Sequence, residues 1–158
     1  MPRNYKSTAD LLRPDPKFGS MLATKIINKI MLSGKRSLAQ SIFYEALDIA
    51  HKRLPDIEDQ AEIFNKAVDN VRPMVEVRSK RVGGANYQVP REVRRNRQQS
   101  LAIRWLVDNA RKKKGKPMAK RLAEELADAC QGTGASVQWK ENVHKMAEAN
   151  KAYSHYAN

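Results

Sequence analysis

Four arginines lie within seven residues of the sequence, at positions 91, 94, 95 and 97. A guanidinium group is a planar fork of N–H donors that matches the oxygens of a phosphate, so this cluster is suited to phosphate binding. Cations also gather at residues 112–116, at residues 78–81 and at Lys35 and Arg36. One such run could be a solvated surface, but four of them predict contact with a polyanion.

Catalytic and metal-binding patterns are weak in comparison. The histidines at positions 51, 144 and 155 lack HxxxH spacing, and a single cysteine, Cys130, excludes both an internal disulfide and a cysteine-based zinc site. Cys130 is therefore predicted to be a small core residue.

Two further patterns favour structural interpretations. Glu141, His144 and Glu148 could share one helix face, where a local His–Glu pair four residues apart is favoured over a metal or general-base role. The Gly83–Gly84 pair is not followed by the GK[ST] sequence of a phosphate loop. The sequence thus predicts no enzyme activity, no metal and no cofactor.

The net charge of +13 is concentrated in the middle of the chain. Residues 72–121 hold 16 basic and 3 acidic side chains, whereas the flanking segments nearly balance. Such an imbalance destabilises a free protein and favours a nucleic-acid partner. No zinc-finger, zipper or RNA-recognition signature is present, which favours irregular folded RNA over DNA; a regulatory DNA- or mRNA-binding protein is the alternative. Tyr87 could stack on a base or could be structural.

The length of 158 residues fits one domain, 1–158, and 41% hydrophobic residues support a folded core. The N-terminal segment has no continuous apolar stretch of a secretory signal. The longest apolar run, 101–107, is too short to cross a bilayer and contains Arg104. A cytoplasmic protein without membrane contact is predicted, with an organellar matrix as the open alternative.

The elements that must position these cations are mostly helical. An irregular arm, 1–19, precedes a helix capped by Ser20 that ends near residue 32. Three further helices are predicted over 37–53, 93–113 and 136–153. Two more are predicted to begin at Asp56, as N-cap, and at Pro117, as the first helical residue. Residues 101–107 are apolar nearly all round, which is typical of a central helix.

Buried faces follow from the helical spacing of apolar residues. In the second helix the predicted face contains Leu38, Ile42, Ala46, Leu47 and Ile49. In the last helix it contains Trp139, Val143, Met146, Ala147 and Tyr153. Between the third and fourth helices, alternating residues around Gly83–Gly84 predict a β-hairpin at 73–90, bracketed by two prolines. The predicted fold is a mainly α, six-helix bundle with one inserted, protruding hairpin, followed by a C-terminal helix and tail at 136–158.

Three segments carry a specific resemblance. Residues 71–90 read VRPMVEVRSKRVGGANYQVP, residues 15–19 read DPKFG, and residues 143–156 read VHKMAEANKAYSHY. Together with LAIRW at 101–105, they resemble the bacterial small-subunit ribosomal protein seven family over nearly the whole chain.

The resemblance implies a structural constituent of the small ribosomal subunit. Its expected partners are the 3′ major domain of 16S rRNA, where it would nucleate head assembly, exit-site tRNA, mRNA near the exit, and head proteins including protein eleven. It would be a single copy rather than a homo-oligomer, and in some bacteria such a protein represses its own operon.

Two sets of site residues follow from the resemblance and the basic clusters. The rRNA-binding set is Arg3, Lys6, Arg13, Lys17, Lys35, Arg36, Arg72, Arg78, Arg91, Arg94, Arg95, Arg97, Arg111, Lys112, Lys113, Lys114 and Lys116. The set facing tRNA and mRNA is Lys80, Arg81, Val82, Gly83, Gly84, Ala85, Lys145, Lys151 and Tyr153.

Overall fold

Residues 11–157, the part of the chain that the computed structural model describes, form six α-helices and one β-hairpin. The elements are α1 (Met21–Ile30), α2 (Arg36–Arg53), α3 (Gln60–Val71), β1 (Val75–Val82), β2 (Ala85–Glu92), α4 (Arg95–Lys112), α5 (Met118–Cys130) and α6 (Ala135–Ala149), with a 3-10 helix (Lys151–Ala157) after α6. This order confirms the predicted mainly α fold with a hairpin between the third and fourth helices. The predicted cations Arg3 and Lys6 lie outside the described residues.

Local capping chemistry sets where the helices begin. Ser20 caps α1 as predicted, since its side chain accepts from the backbone N–H of Ala23 at 3.4 Å. The prediction of Asp56 as the cap of α3 was wrong: Asp59 Oδ1 accepts from the N–H of Ala61 at 2.8 Å, and the chain before it forms a turn. Pro117 occupies the N-cap position of α5, one residue before its predicted place.

The six helices share one hydrophobic core, with α4 packed against α1, α3, α5 and α6. Leu101, Ile103, Leu106 and Val107 of α4 are all buried, which confirms a central role for this helix. Cys130 is buried at the end of α5, as predicted, and burial raises the pKa of its thiol. No helix within residues 11–157 is long and apolar enough to span a membrane.

Four apolar residues that were predicted to be buried are exposed. Leu38 is 55% exposed because it lies in the first turn of α2, at the edge of the bundle. Trp139 and Met146 are 45% and 48% exposed, since α6 buries Val137, Val143 and Ala147 and leaves them beside that face. Tyr153 is also exposed, because α6 ends at Ala149 and the chain tightens into the 3-10 helix.

The segment before α1 is fixed by a buried carboxylate. Asp15 is 1% exposed; its Oδ2 accepts from the N–H groups of Lys17 and Phe18 at 3.1 and 3.2 Å, and its Oδ1 accepts from the Tyr44 hydroxyl at 2.7 Å. Burial and the Asp15 carboxylate raise the pKa of Tyr44 to about 12. The Phe18 ring packs edge-on against Phe64, with the centroids 5.7 Å apart. These contacts hold residues 15–18 against the bundle.

The hairpin has the predicted length but lies two residues further along the chain, at 75–92 rather than 73–90. Its antiparallel strands pair Val75 with Glu92 at the base and Val82 with Ala85 at the end. Gly83 and Gly84 form the two-residue turn with φ of 57° and 91°, a backbone geometry that requires residues tolerant of positive φ. The base packs against α6, and β2 packs against the 3-10 helix.

Candidate nucleic-acid interface

A cleft lined by arginines lies where the base of the hairpin meets the start of α4. It has a volume of about 420 Å³, and we call it the arginine cleft. It is lined by Glu76, Arg78, Arg91, Glu92, Val93, Arg94 and Arg97. Two sequence clusters predicted separately, one on the hairpin and one before α4, therefore form one surface.

Glu76 organises this cleft, although the sequence analysis overlooked it. Its side chain is only 12% exposed; Arg78 Nε donates to Glu76 Oε1 at 2.6 Å, and Arg97 Nη2 lies 3.4 Å from Oε2. The carboxylate therefore holds two guanidinium groups at fixed positions. The alternation of side chains along β1 places residues 76 and 78 on one side of the strand, so the contact between Glu76 and Arg78 could have been predicted from the sequence. The approach of α4 to that side could not be deduced locally.

The other arginines of the cluster are more accessible to a ligand than Arg97. Arg91, Arg94 and Arg95 are exposed, and no ion pair is recorded for them within the described part of the chain. Arg94 is the N-cap residue of α4 and provides no side-chain cap. A phosphate at this helix N-terminus would meet backbone N–H groups, the positive end of the helix dipole and three cations. Such an anion would relieve the repulsion among these arginines.

Of the cations at the end of α4 and in the loop before α5, two are engaged within the fold and three face solvent. Arg111 Nη2 donates to the carbonyls of Lys29 and Ile30, both at 3.1 Å, and so caps the C-terminus of α1. Lys113 Nζ lies 2.9 Å from the buried carboxylate of Glu125. These two cations are already engaged within the fold, so their predicted rRNA contacts have competing partners.

The remaining cations of that loop face outward. Lys112 and Lys114 are exposed, and Lys116 pairs with Glu124 at 2.5 Å. The hydrogen bond from Lys116 lowers the pKa of the Glu124 carboxyl. Arg121 donates to the carbonyl of Lys113 and orders the loop around them.

Two more predicted sites lie near α1. Lys35 and Arg36 are exposed at the start of α2, beside a surface groove of about 520 Å³ with a mainly apolar lining that includes Leu32 and Leu38. Arg13 is exposed, and its carbonyl accepts from the Thr24 hydroxyl at 2.9 Å.

Two other predicted rRNA-binding cations already have partners in the fold. The Lys17 ammonium lies 5.2 Å from the centroid of the Phe18 ring and pairs with Asp48 at 3.8 Å. Arg72, at the hairpin base, pairs with Asp69 at 3.0 Å.

The C-terminal 3-10 helix packs along the outer half of the hairpin. The Tyr87 ring lies 5.1 Å from that of Tyr153 and 5.4 Å from that of Tyr156, between centroids. Lys80 Nζ donates to the Tyr156 carbonyl at 2.8 Å. Of the two interpretations of Tyr87, these contacts favour the structural one. They also join the predicted tRNA-facing hairpin to the predicted tRNA-facing C-terminal segment.

The rest of that predicted set is solvent-facing. Arg81, Gly83, Gly84 and Ala85 are exposed and Val82 is half-buried at the end of the hairpin. Lys145 on α6 and Lys151 after it are also exposed.

His144 fastens α6 to the base of the hairpin. Its Nε2 accepts from the backbone N–H of Met74 at 3.1 Å, which requires that nitrogen to be unprotonated. Burial, with a smaller contribution from Lys140, lowers its pKa and favours this neutral form. The favoured local pairing with Glu148 was therefore wrong, because the ring is used across elements. Among residues 11–157 no group of three potential metal ligands comes together.

The helical bundle, the arginine cleft and the basic hairpin are typical of proteins that bind a nucleic acid through contacts with its phosphate backbone. The sequence profile of the family described as ribosomal protein S7p/S5e matches residues 2–151, and the chain belongs to this family. The family is a structural, non-enzymatic component of the ribosome, which confirms both the resemblance and the prediction of a protein without enzyme activity.

Proteins from several bacteria match the chain along almost its whole length. Small ribosomal subunit protein uS7 of Marinobacter nauticus and that of Carboxydothermus hydrogenoformans are each 53% identical over 156 residues, which cover 99% of both chains. The uS7 protein of Fervidobacterium nodosum is 51% identical over 154 residues, or 98% of each chain.

Proposed function

We propose that this chain is a structural constituent of the small ribosomal subunit that binds the 3′ major domain of 16S rRNA directly and nucleates assembly of the subunit head. The arginine cleft carries this proposal. It combines fixed guanidinium groups, exposed arginines and an open helix N-terminus in one concave surface. Phosphate contacts of this type position a protein on folded RNA without reading individual bases.

The remaining exposed cations extend this rRNA-binding surface. Lys35 and Arg36 lie at the α1–α2 turn, and Lys112 and Lys114 lie at the α4–α5 loop. Each contributes counterion release when it neutralises a phosphate. The placement of the protein in a cytoplasmic ribosome, as a single copy beside head proteins such as protein eleven, belongs to the same proposal.

The outer hairpin and the C-terminal segment form a second surface, which faces exit-site tRNA and the mRNA exit. The support is their contact through Tyr87, Tyr153 and Lys80, which makes one unit of the two parts. The four residue steps from Arg78, which lines the arginine cleft, to Val82 place the end of the hairpin roughly 13 Å beyond the cleft, at about 3.3 Å per residue. Repression of the protein's own operon would use the rRNA-binding surface on an mRNA of similar shape.

Salt dependence of binding to a 3′-domain transcript tests the primary function. Neutralisation of about six to eight phosphates predicts a log–log slope of roughly −4 to −7. Affinity should be measured by filter binding between 50 and 300 mM salt, with unstructured RNA of equal length as the control. Equal affinity for the two RNAs, or a slope near zero, would refute the proposal.

A shortened hairpin separates the two surfaces. Deletion of Arg81, Val82, Ala85 and Asn86 leaves the natural Lys80–Tyr87 pair joined by the native Gly83–Gly84 turn. This deletion retains the contacts of Lys80 and Tyr87 with the 3-10 helix. We expect rRNA-fragment affinity within about threefold of wild type and reduced exit-site tRNA occupancy in reconstituted subunits. Loss of fragment binding, or unchanged occupancy, would contradict this division of roles.

A further inference from the structure

Trp139 is an exposed tryptophan beside a basic loop. It lies in the second turn of α6 and is 45% exposed, whereas the other tryptophan of the chain, Trp105, packs against the core. An indole left in solvent on a helix surface contributes little to the hydrophobic core. An exposed aromatic ring of this size can serve as a stacking platform for a nucleic-acid base.

The surroundings of the indole indicate the chemistry of its partner. Lys112 Nζ lies 5.2 Å from the centroid of the Trp139 ring, in cation–π geometry. The same ammonium lies 3.4 Å from Asn109 Oδ1, while the Asn109 amide donates to Ser136 Oγ at 3.1 Å. This chain of contacts fixes the end of α4 against the start of α6, so the lysine and the indole are held together.

The positive charge beside Trp139 favours an anionic partner, and the aromatic ring favours RNA among such partners. Lys112 and Lys114 are exposed in the adjoining loop, within a segment that contains Arg111, Lys112, Lys113, Lys114 and Lys116. An acidic protein could be attracted to such a loop, but a nucleotide supplies both an anion for the ammonium and a flat π surface for the indole.

We propose that Trp139 and Lys112 form a nucleotide subsite, in which an unpaired base of the bound RNA stacks on the indole and its phosphate pairs with the ammonium. This inference rests on the proposed rRNA-binding function and adds a site outside the arginine cleft. Stacking of this kind accounts for about 1–3 kcal/mol per base. Removal of the ring is therefore expected to weaken binding about five- to hundredfold.

Affinities of Trp139 variants for the 3′-domain transcript test the subsite. Trp139→Ala should lower affinity about tenfold, and Trp139→Phe, which retains a smaller π surface, should stay within about threefold of wild type. The salt slope should be unchanged in Trp139→Ala because no charge is removed. Met146→Ala is the matched control, since Met146 is an equally exposed apolar residue of the same helix, and it should bind within twofold of wild type.

Fluorescence supplies a direct second measurement. In a Trp105→Phe background Trp139 is the sole tryptophan, and stacking of a base should quench its emission as the transcript is added. Affinity of Trp139→Ala within twofold of wild type would overturn the subsite alone, and so would equal losses in the Phe and Ala variants. Failure of the wild-type protein to bind the transcript would overturn the subsite together with the proposed function.

Discussion

Replacement of Arg91, Arg94 and Arg95 by alanine is expected to weaken rRNA-fragment binding by two to three orders of magnitude. Each lost phosphate contact lowers the magnitude of the salt slope by about 0.7–0.9, so the slope should become less steep by roughly 2 to 3. At 0.1 M salt this change corresponds to a several-hundredfold loss of affinity. Arg97 is left in place because Glu76 engages it, and its removal would disturb the hairpin base.

Stability measurements distinguish this prediction from a folding defect. Arg94 and Arg95 are exposed at the N-terminus of α4, where cations oppose the helix dipole, and Arg91 is exposed near the end of β2. The thermal midpoint of the triple variant should therefore be unchanged or slightly raised. Alanine replacement of Lys52, Lys66 and Lys120, three exposed cations away from the cleft, is the charge-matched control. A midpoint that falls by many degrees, or a control that loses as much affinity, would contradict the assignment of the arginine cleft.

The element order of this chain could be predicted because local signals agree with the tertiary fold. Ser20 provides a cap, Gly83–Gly84 adopts the positive φ angles of a two-residue hairpin turn, and 101–107 is apolar enough to require burial. Both Asp56 and Asp59 are suitable N-cap residues for α3, and composition does not distinguish between them. The helix begins after Asp59 because Ile57 is buried before the helix begins.

The sequence predicted which cations could form the surface, but not which of them are exposed and which bind groups inside the fold. Arg94 and Arg95 remain exposed as their clustering suggests, whereas Arg111 and Lys113 are used inside the fold. The difference depends on carbonyls of α1 and a carboxylate of α5, which are distant in sequence. The exposure of Trp139 had a similar origin, because the buried arc of α6 depends on the neighbouring helices rather than on its own periodicity.

Buried acidic residues were the main features that the sequence concealed. Glu125 resembles the other charged residues of an amphipathic helix, yet it is 0% exposed. Its Oε1 accepts from the backbone N–H of Ser136 at 2.9 Å and from the Ser136 hydroxyl at 2.6 Å, and its Oε2 lies 2.9 Å from Lys113 Nζ. Gly134, at the N-cap of α6, offers no side chain to cap that helix. Glu125 therefore caps α6 from the middle of α5 and holds the start of α6 and the end of α4 against that helix.

Removal of this carboxylate is expected to produce a large loss of stability. Glu125→Ala leaves the Ser136 hydroxyl and N–H without their buried acceptor, whereas Lys113 is 31% exposed and retains Asp128 at 3.8 Å. Each buried donor left unsatisfied costs about 1–3 kcal/mol, so a loss of about 3–5 kcal/mol is expected for the two donors. For a domain of this size 1 kcal/mol shifts the thermal midpoint by about 2–4 °C, so a decrease of roughly 6–20 °C is expected. Glu125→Gln retains an acceptor for Ser136 but loses the charge, and its midpoint should lie between those of wild type and Glu125→Ala.

The exposed Glu141 provides the control, with a shift of about 2 °C or less on replacement by alanine. Calorimetry would measure all four proteins, and a Glu125→Ala midpoint within 2 °C of wild type would show that the Ser136 and Lys113 contacts do not stabilise the start of α6.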